Sequence, residues 1–141
     1  MIGMTGIYQH SLDAKGRIFI PAKLREELGN KFVVTISMDE CLSAYNQESW
    51  DRVMAKIRAK TRAEQNKMRP LFSHAAECEL DSQGRILLPQ RLRDYAKLTK
   101  NVAVVGNGEC VEFWDADKWA EIDMAETTPE NIEKVFMELD F

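Results

Sequence analysis

Glycine and proline are scarce in this 141-residue chain, at seven and four residues, which excludes collagen-like and loop-dominated low-complexity architectures. No apolar run approaches the ~20 residues a membrane-spanning helix needs. The opening residues Met1-Ile2-Gly3-Met4-Thr5 lack the basic start and apolar block of a secretory signal. A cytoplasmic protein with no membrane partner is expected. Cysteine is limited to Cys41, Cys78 and Cys110, an odd, widely spaced set with no disulfide framework and no C-x-x-C pair for zinc. These are expected as small, partly buried thiols. His10 and His74 have no metal-ligand spacing with each other or with a cysteine. The P-loop, nucleophile-elbow and H-E-x-x-H patterns are missing as well. No catalytic residue, metal site or cofactor is therefore expected, and an enzyme is the least favoured class.

What is present is the composition of a soluble globular domain, 45% hydrophobic and 30% charged. The net charge of −4 argues against a nucleic-acid partner until its distribution is considered. Residues 13–25 carry Lys15, Arg17, Lys23 and Arg25 against Asp13 alone. Residues 52–69 carry seven Arg and Lys against Glu64, whereas residues 105–141 carry eleven acids against Lys118 and Lys134. Segregation of this kind permits a basic face and an acidic face on one small body.

The strongest signal is internal repetition. LDAKGRIFIPAKLR at residues 12–25 returns as LDSQGRILLPQRLR at residues 80–93, with eight of fourteen positions identical. The likeness continues more weakly, with Phe32–Ile36 set against Asn101–Val105, Tyr45 against Trp114 and Trp50 against Trp119. Each copy is expected to run strand, turn, strand, short helix, strand, strand, helix. In the turns, Asp13 and Asp81 can bond backbone N–H groups just ahead, and Gly16 and Gly84 tolerate positive φ. Strands are expected over Thr5–Leu12, Arg17–Ile20, Ala75–Leu80 and Arg85–Leu88. Pro21 and Pro89 mark helix starts, and Gly29 marks a stop. Trp50, Val53, Met54 and Ile57 have helical spacing, which predicts a bridging helix over Glu48–Arg62 that stops before Pro70. Further helices are expected over Asp115–Met124 and from Thr128 to Leu139.

An Asp and a Gly suffice to build a tight turn; an arginine in the same place twice is not required by geometry. Arginine's planar fork suits guanine edges and phosphates, so Arg17 and Arg85 are candidate DNA-binding residues, with Lys15 beside the first. Asp13 and Asp81 can pair with them, which either aims each guanidinium or simply braces the turn. Lys23, Arg25, Arg91 and Arg93 lie on the short helices, where they either touch phosphates or face water. The basic helix over residues 52–62 either extends a DNA surface or meets the acidic C-terminal segment of a neighbouring subunit.

The duplicated D-x-x-G-R turn, each followed by a short apolar strand and a proline, resembles the MraZ family of the SpoVT-AbrB superfamily. Residues 73–85, SHAAECELDSQGR, are especially close to that family's second repeat. The resemblance implies an α+β fold in which tandem AbrB-like repeats form a pseudo-twofold double-split β-barrel with flanking helices. It implies a first repeat at residues 1–62, a linker at 63–74, a second repeat at 75–124 and a C-terminal helix at 125–141, the two repeats making one compact domain. It also implies a regulator that binds repeated boxes in double-stranded promoter DNA, acting on a division and cell-wall gene cluster and on its own gene. Chains would assemble into a ring-like homo-oligomer and associate with the nucleoid. Lys15, Arg17 and Arg85 would face DNA. Gln83 stands where the first copy has Lys15, so the two turns are unequal readers. The alternative is an antitoxin-type interaction module acting through the acidic segment from Asp115 to Phe141.

Overall fold

The structure is a computed structural model that describes residues 3–140. Its first copy runs through β1 (Ile7–Ser11), β2 (Arg17–Phe19), α1 (Ala22–Leu28), β3 (Lys31–Ile36), β4 (Leu42–Tyr45) and α2 (Gln47–Arg58). Two short helices follow, α3 (Arg62–Lys67) and α4 (Arg69–Ser73). The second copy gives β5 (Ala76–Glu79), β6 (Arg85–Leu87), α5 (Gln90–Tyr95), β7 (Asn101–Gly106), β8 (Val111–Asp115) and α6 (Ala116–Glu126), and α7 (Pro129–Glu138) closes the order.

The strands form an antiparallel six-stranded sheet in the order β1-β7-β8-β4-β3-β5 and a separate antiparallel ribbon of β2 and β6. Exchanging each strand for its counterpart in the other copy leaves this order unchanged. The copies are interlocked: β1 pairs with β7 of the second, and β5 pairs with β3 of the first. Among the described residues the sheet is open and no strand pairing closes it into a barrel.

Period-2 alternation sorts the side chains into layers. On one face of the sheet Phe32, Val34, Leu42, Ala44, Val102, Val104, Val111 and Phe113 join a single buried cluster. The ribbon residues Ile18 and Ile86 belong to it, as do Leu24 and Leu28 of α1 and Leu92 of α5. The ribbon and short helices are therefore one layer over the sheet. On the opposite face Ala103, Val105 and Trp114 pack against Trp119 and Ile122 of α6. The aromatic pairs matched in the sequence do the same job twice: Tyr45 and Trp50 have ring centroids 5.8 Å apart, and Trp114 and Trp119 have theirs 5.6 Å apart. Each long helix is capped alike, Asn46 accepting from Ser49 N–H at 2.8 Å and Asp115 from Lys118 N–H at 3.1 Å, which satisfies an end donor.

Three details differ from the sequence reading. Phe32 corresponds to Val102 rather than Asn101, because Val34 pairs with Ala44 as Val104 pairs with Phe113; alternation would otherwise put buried Phe32 against exposed Asn101. The bridging helix ends at Arg58, not Arg62. Ile57 is its last buried residue, and Thr61 opens a new helix through a capping box with Glu64, whose N–H donates to Thr61 Oγ1 at 3.2 Å. Residues 63–74, expected as a linker, are largely helical, and Pro70 sits in the first turn of α4, where its missing N–H leaves nothing unpaired.

Candidate nucleic-acid interface

The two D-x-x-G-R turns have the same construction. Asp13 Oδ1 accepts from the backbone N–H of Lys15 and of Arg17, both at 2.9 Å. Asp81 Oδ1 accepts from those of Gln83 and Arg85, also both at 2.9 Å. Gly16 and Gly84 take φ of 85° and 76°, a region that glycine enters without steric penalty. The second carboxylate oxygen holds the arginine: Arg17 Nε lies 2.6 Å from Asp13 Oδ2, and Arg85 Nε lies 3.0 Å from Asp81 Oδ2. Bracing the turn and holding the arginine are thus one arrangement, because the oxygen that closes the turn and the oxygen that grips the guanidinium belong to the same carboxylate.

Pairing of β2 with β6 brings the turns to one surface. Ile20 N–H donates to Gly84 O at 2.9 Å, and Leu88 N–H donates to Gly16 O at 3.0 Å. Arg85 Nη1 also approaches Asp13 Oδ2 at 3.5 Å, so Asp13 lies between two guanidinium groups. The sheltered positions Ile18 and Ile86 point to the core, which turns Arg17, Phe19, Arg85 and Leu87 outward. Arg17 stands across from Leu87, and Phe19 across from Arg85.

The remaining candidates divide. Lys15, Lys23 and Arg91 are exposed, as is Gln83. Arg25 and Arg93 are half-buried and serve the opposite copy. A Cβ placed on Gly16 would lie 2.6 Å from Cζ of Arg93, and one on Gly84 would lie 3.0 Å from Cζ of Arg25. Arg93 Nε donates to Leu88 O at 2.9 Å, and Arg25 stacks 5.2 Å from the Phe19 ring centroid. Each short-helix arginine therefore covers the glycine of the other copy's turn. Sequence reasoning missed this crossing because nothing local to either copy encodes it. The basic helix α2 lies elsewhere: Trp50 packs it against Tyr45 and Phe72, on the sheet face turned away from the ribbon.

The carboxylates respond to this setting. The Arg17 backbone N–H, then its guanidinium and the Lys15 N–H, hold Asp13 down at about 2 against an ordinary 3.8. The Arg85 and Gln83 N–H groups and the Arg85 side chain lower Asp81. A carboxylate depressed by folding stabilises the fold above its ordinary value, and that contribution disappears as pH falls toward the folded value. The melting temperature should hold steady down to about pH 4 and then drop as pH falls toward 2. An Asp13→Asn, Asp81→Asn double variant should show a shallower drop over that window, read by circular dichroism. An equally steep drop would assign the acid sensitivity to other groups such as Glu40 and Glu64, which are also lowered.

Elsewhere the chemistry is quiet. Burial pushes the thiols up, Cys41 to about 12 and Cys78 and Cys110 to about 11, so they are protonated at neutral pH. His10 packs against Phe19 in a tilted arrangement with centroids 5.0 Å apart. Among the described residues no cluster of three His, Cys, Asp or Glu side chains is placed to hold a metal ion, and no helix is long and apolar enough to cross a membrane.

The chain has counterparts among known proteins. The family model described as "MraZ protein, putative antitoxin-like" matches residues 4–69 and again residues 71–134. A protein named transcriptional regulator MraZ from Carboxydothermus hydrogenoformans is 50% identical over 117 residues, covering 81% of this chain and 82% of the relative. One of the same name from Acetivibrio thermocellus is also 50% identical over 117 residues, with 81% and 82% covered. Another, from Halothermothrix orenii, is 43% identical over 131 residues, covering 90% of this chain and 92% of its own length. With nearly its whole length matched in this way, the chain belongs to the MraZ family.

Proposed function

We propose that this protein is a sequence-specific DNA-binding transcriptional regulator whose reading head is the outer face of the β2–β6 ribbon. The observation that carries this is the meeting of two D-x-x-G-R turns on one ribbon, with Arg17 and Arg85 each gripped by an aspartate. A two-stranded ribbon fits the major groove of B-DNA. Exposed Lys15, Lys23 and Arg91 flank it as phosphate contacts, and Arg25 and Arg93 hold the turns and add charge. The names of the relatives support a role in transcription. In this reading residues 1–62 and 75–124 are two AbrB-like halves of one domain, interleaved as a pseudo-twofold double-split barrel. They are joined through residues 63–74 and followed by a helical tail at 125–141. The targets are repeated boxes in the promoter of a division and cell-wall gene cluster and of its own gene, which the protein represses in the cytoplasm, on the nucleoid.

One head makes few contacts, so useful affinity requires several heads on linked boxes, which raises avidity by roughly 10²–10⁴. A ring-like homo-oligomer supplies them. The exposed apolar residues Ile132, Val135, Met137 and Leu139 on and just after α7 favour an interface there. The same surface supports the second reading, an antitoxin-type module whose partner is another protein. Fluorescence anisotropy with the duplex upstream of the chain's own gene separates the two. DNA binding through about four phosphates per head should weaken by roughly 10² between 50 and 200 mM salt. Absence of binding at 50 mM salt would overturn the DNA reading and leave the interaction module.

A further inference from the structure

We propose that Leu87 is a base-reading residue that recognises the 5-methyl group of thymine. The inference rests on the reading that the ribbon's outer face enters the major groove. Four side chains compose that face, two cationic and two apolar, on a diagonal: Arg17 across from Leu87, and Phe19 across from Arg85. The two apolar members are not equivalent. Phe19 is half-buried, with the Arg25 guanidinium 5.2 Å from its ring centroid and the His10 ring 5.0 Å away. Leu87 is 56% exposed, although it is the sequence counterpart of Phe19. Arg93, the counterpart of Arg25, is bonded to Leu88 O and seated over Gly16.

A single exposed leucine needs no explanation on most surfaces. Here its place supplies one. It lies in register with the better-gripped arginine, at a cross-strand separation of roughly 5 Å. Successive bases on a strand are about 3.4 Å apart. With Arg17 on a guanine, Leu87 is therefore within reach of the adjoining base pair. Of the groups that the four bases present in the major groove, only the thymine methyl is apolar. Leu87 has no hydrogen-bonding group, so it can gain only from that methyl, and a cytosine in its place would leave the N4 amino group against hydrocarbon. The ribbon then reads a short composite element, a guanine through Arg17 with a thymine beside it through Leu87.

Uracil differs from thymine by that methyl alone, which gives a direct test. The duplex upstream of the chain's own gene is synthesised once with thymidine and once with deoxyuridine, and both are titrated with the full-length protein. The wild type should bind the uracil duplex about fourfold more weakly for each engaged head, the equivalent of ~0.8 kcal/mol for one buried methyl, and by the product of these factors where several heads engage. Leu87→Ala should bind the two duplexes equally, and Leu87→Met should keep the preference for thymine. Melting temperature and gel-filtration volume should be unchanged in both variants, since the side chain is exposed. Equal binding of both duplexes by the wild type, or a preference that survives in Leu87→Ala, overturns the proposal. A change of assembly size in Leu87→Ala also overturns it, by making Leu87 a subunit contact. Failure of the wild type to bind either duplex at 50 mM salt overturns the DNA reading itself.

Discussion

Arg17→Ala should abolish detectable binding to the promoter duplex and leave the fold intact. The Arg17 side chain is two-thirds sheltered, with 32% exposed, and its Nε is held by Asp13 at 2.6 Å. A pre-aimed fork loses less freedom on binding than a floppy one, so its removal is costly to recognition. A bidentate base contact contributes ~1–3 kcal/mol, which is roughly 5- to 150-fold for one head. In an oligomer that engages several boxes the factors multiply. The turn itself survives the change: Asp13 keeps both backbone N–H donors and gains from Arg85, already 3.5 Å away. The melting temperature should therefore move by no more than a few degrees. Arg17→Lys should recover only a fraction of the affinity, because an ammonium cannot make the forked contact. Unchanged binding by the alanine variant would make the turn purely structural. Unfolding would show that the Asp13–Arg17 pair is chiefly a brace.

Phe113→Ala should give the largest loss of stability. Phe113 is fully buried in β8, paired with Leu42 on one side and Val104 on the other, at the centre of the cluster that supports Ile18 and Ile86. Deleting a buried phenyl ring costs about 3–5 kcal/mol, a large share of the ~5–15 kcal/mol total typical of small domains. A fall in melting temperature of roughly 10–20 °C follows from the usual slope for this size. Urea unfolding should show a lower midpoint at unchanged slope. Below the melting transition the folded variant should still bind DNA within a few-fold of wild type, since the outer ribbon face is untouched. A stability loss below about 1 kcal/mol would place the true packing centre elsewhere.

The two turns were legible in the sequence because their chemistry is local. Asp13 reaches Arg17 within one turn, and Asp81 reaches Arg85 likewise, so residue types and spacing specify both pairs. The order of elements was legible for a related reason: alternation and helical periodicity are properties of short windows. Periodicity also misled. Trp50, Val53, Met54 and Ile57 suggested a helix through Arg62, while the Thr61–Glu64 capping box that restarts the chain was present in the same residues and outweighs it. The exchange between copies was not legible. Arg93 over Gly16, Arg25 over Gly84 and the Arg85–Asp13 approach all depend on β2 meeting β6, which joins positions about one repeat apart and leaves no mark in either copy alone. Leu87 was hidden for that reason too, since its place across from Arg17 exists only where β2 meets β6.

The interlocked pairing has a consequence for how the protein comes into being during synthesis. Among the described residues β1 pairs only with β7, and β2 only with β6, so a nascent chain that has released only the first copy holds two strands without these partners. Contacts of such long sequence separation form late and slowly. The β2–β6 ribbon that brings the two turns to one surface therefore does not form until most of the chain has left the ribosome. A truncated translation product carries the Lys15-Gly16-Arg17 motif without the ribbon that pairs it with the second turn, and under the proposed function it should not compete for promoter DNA with finished molecules.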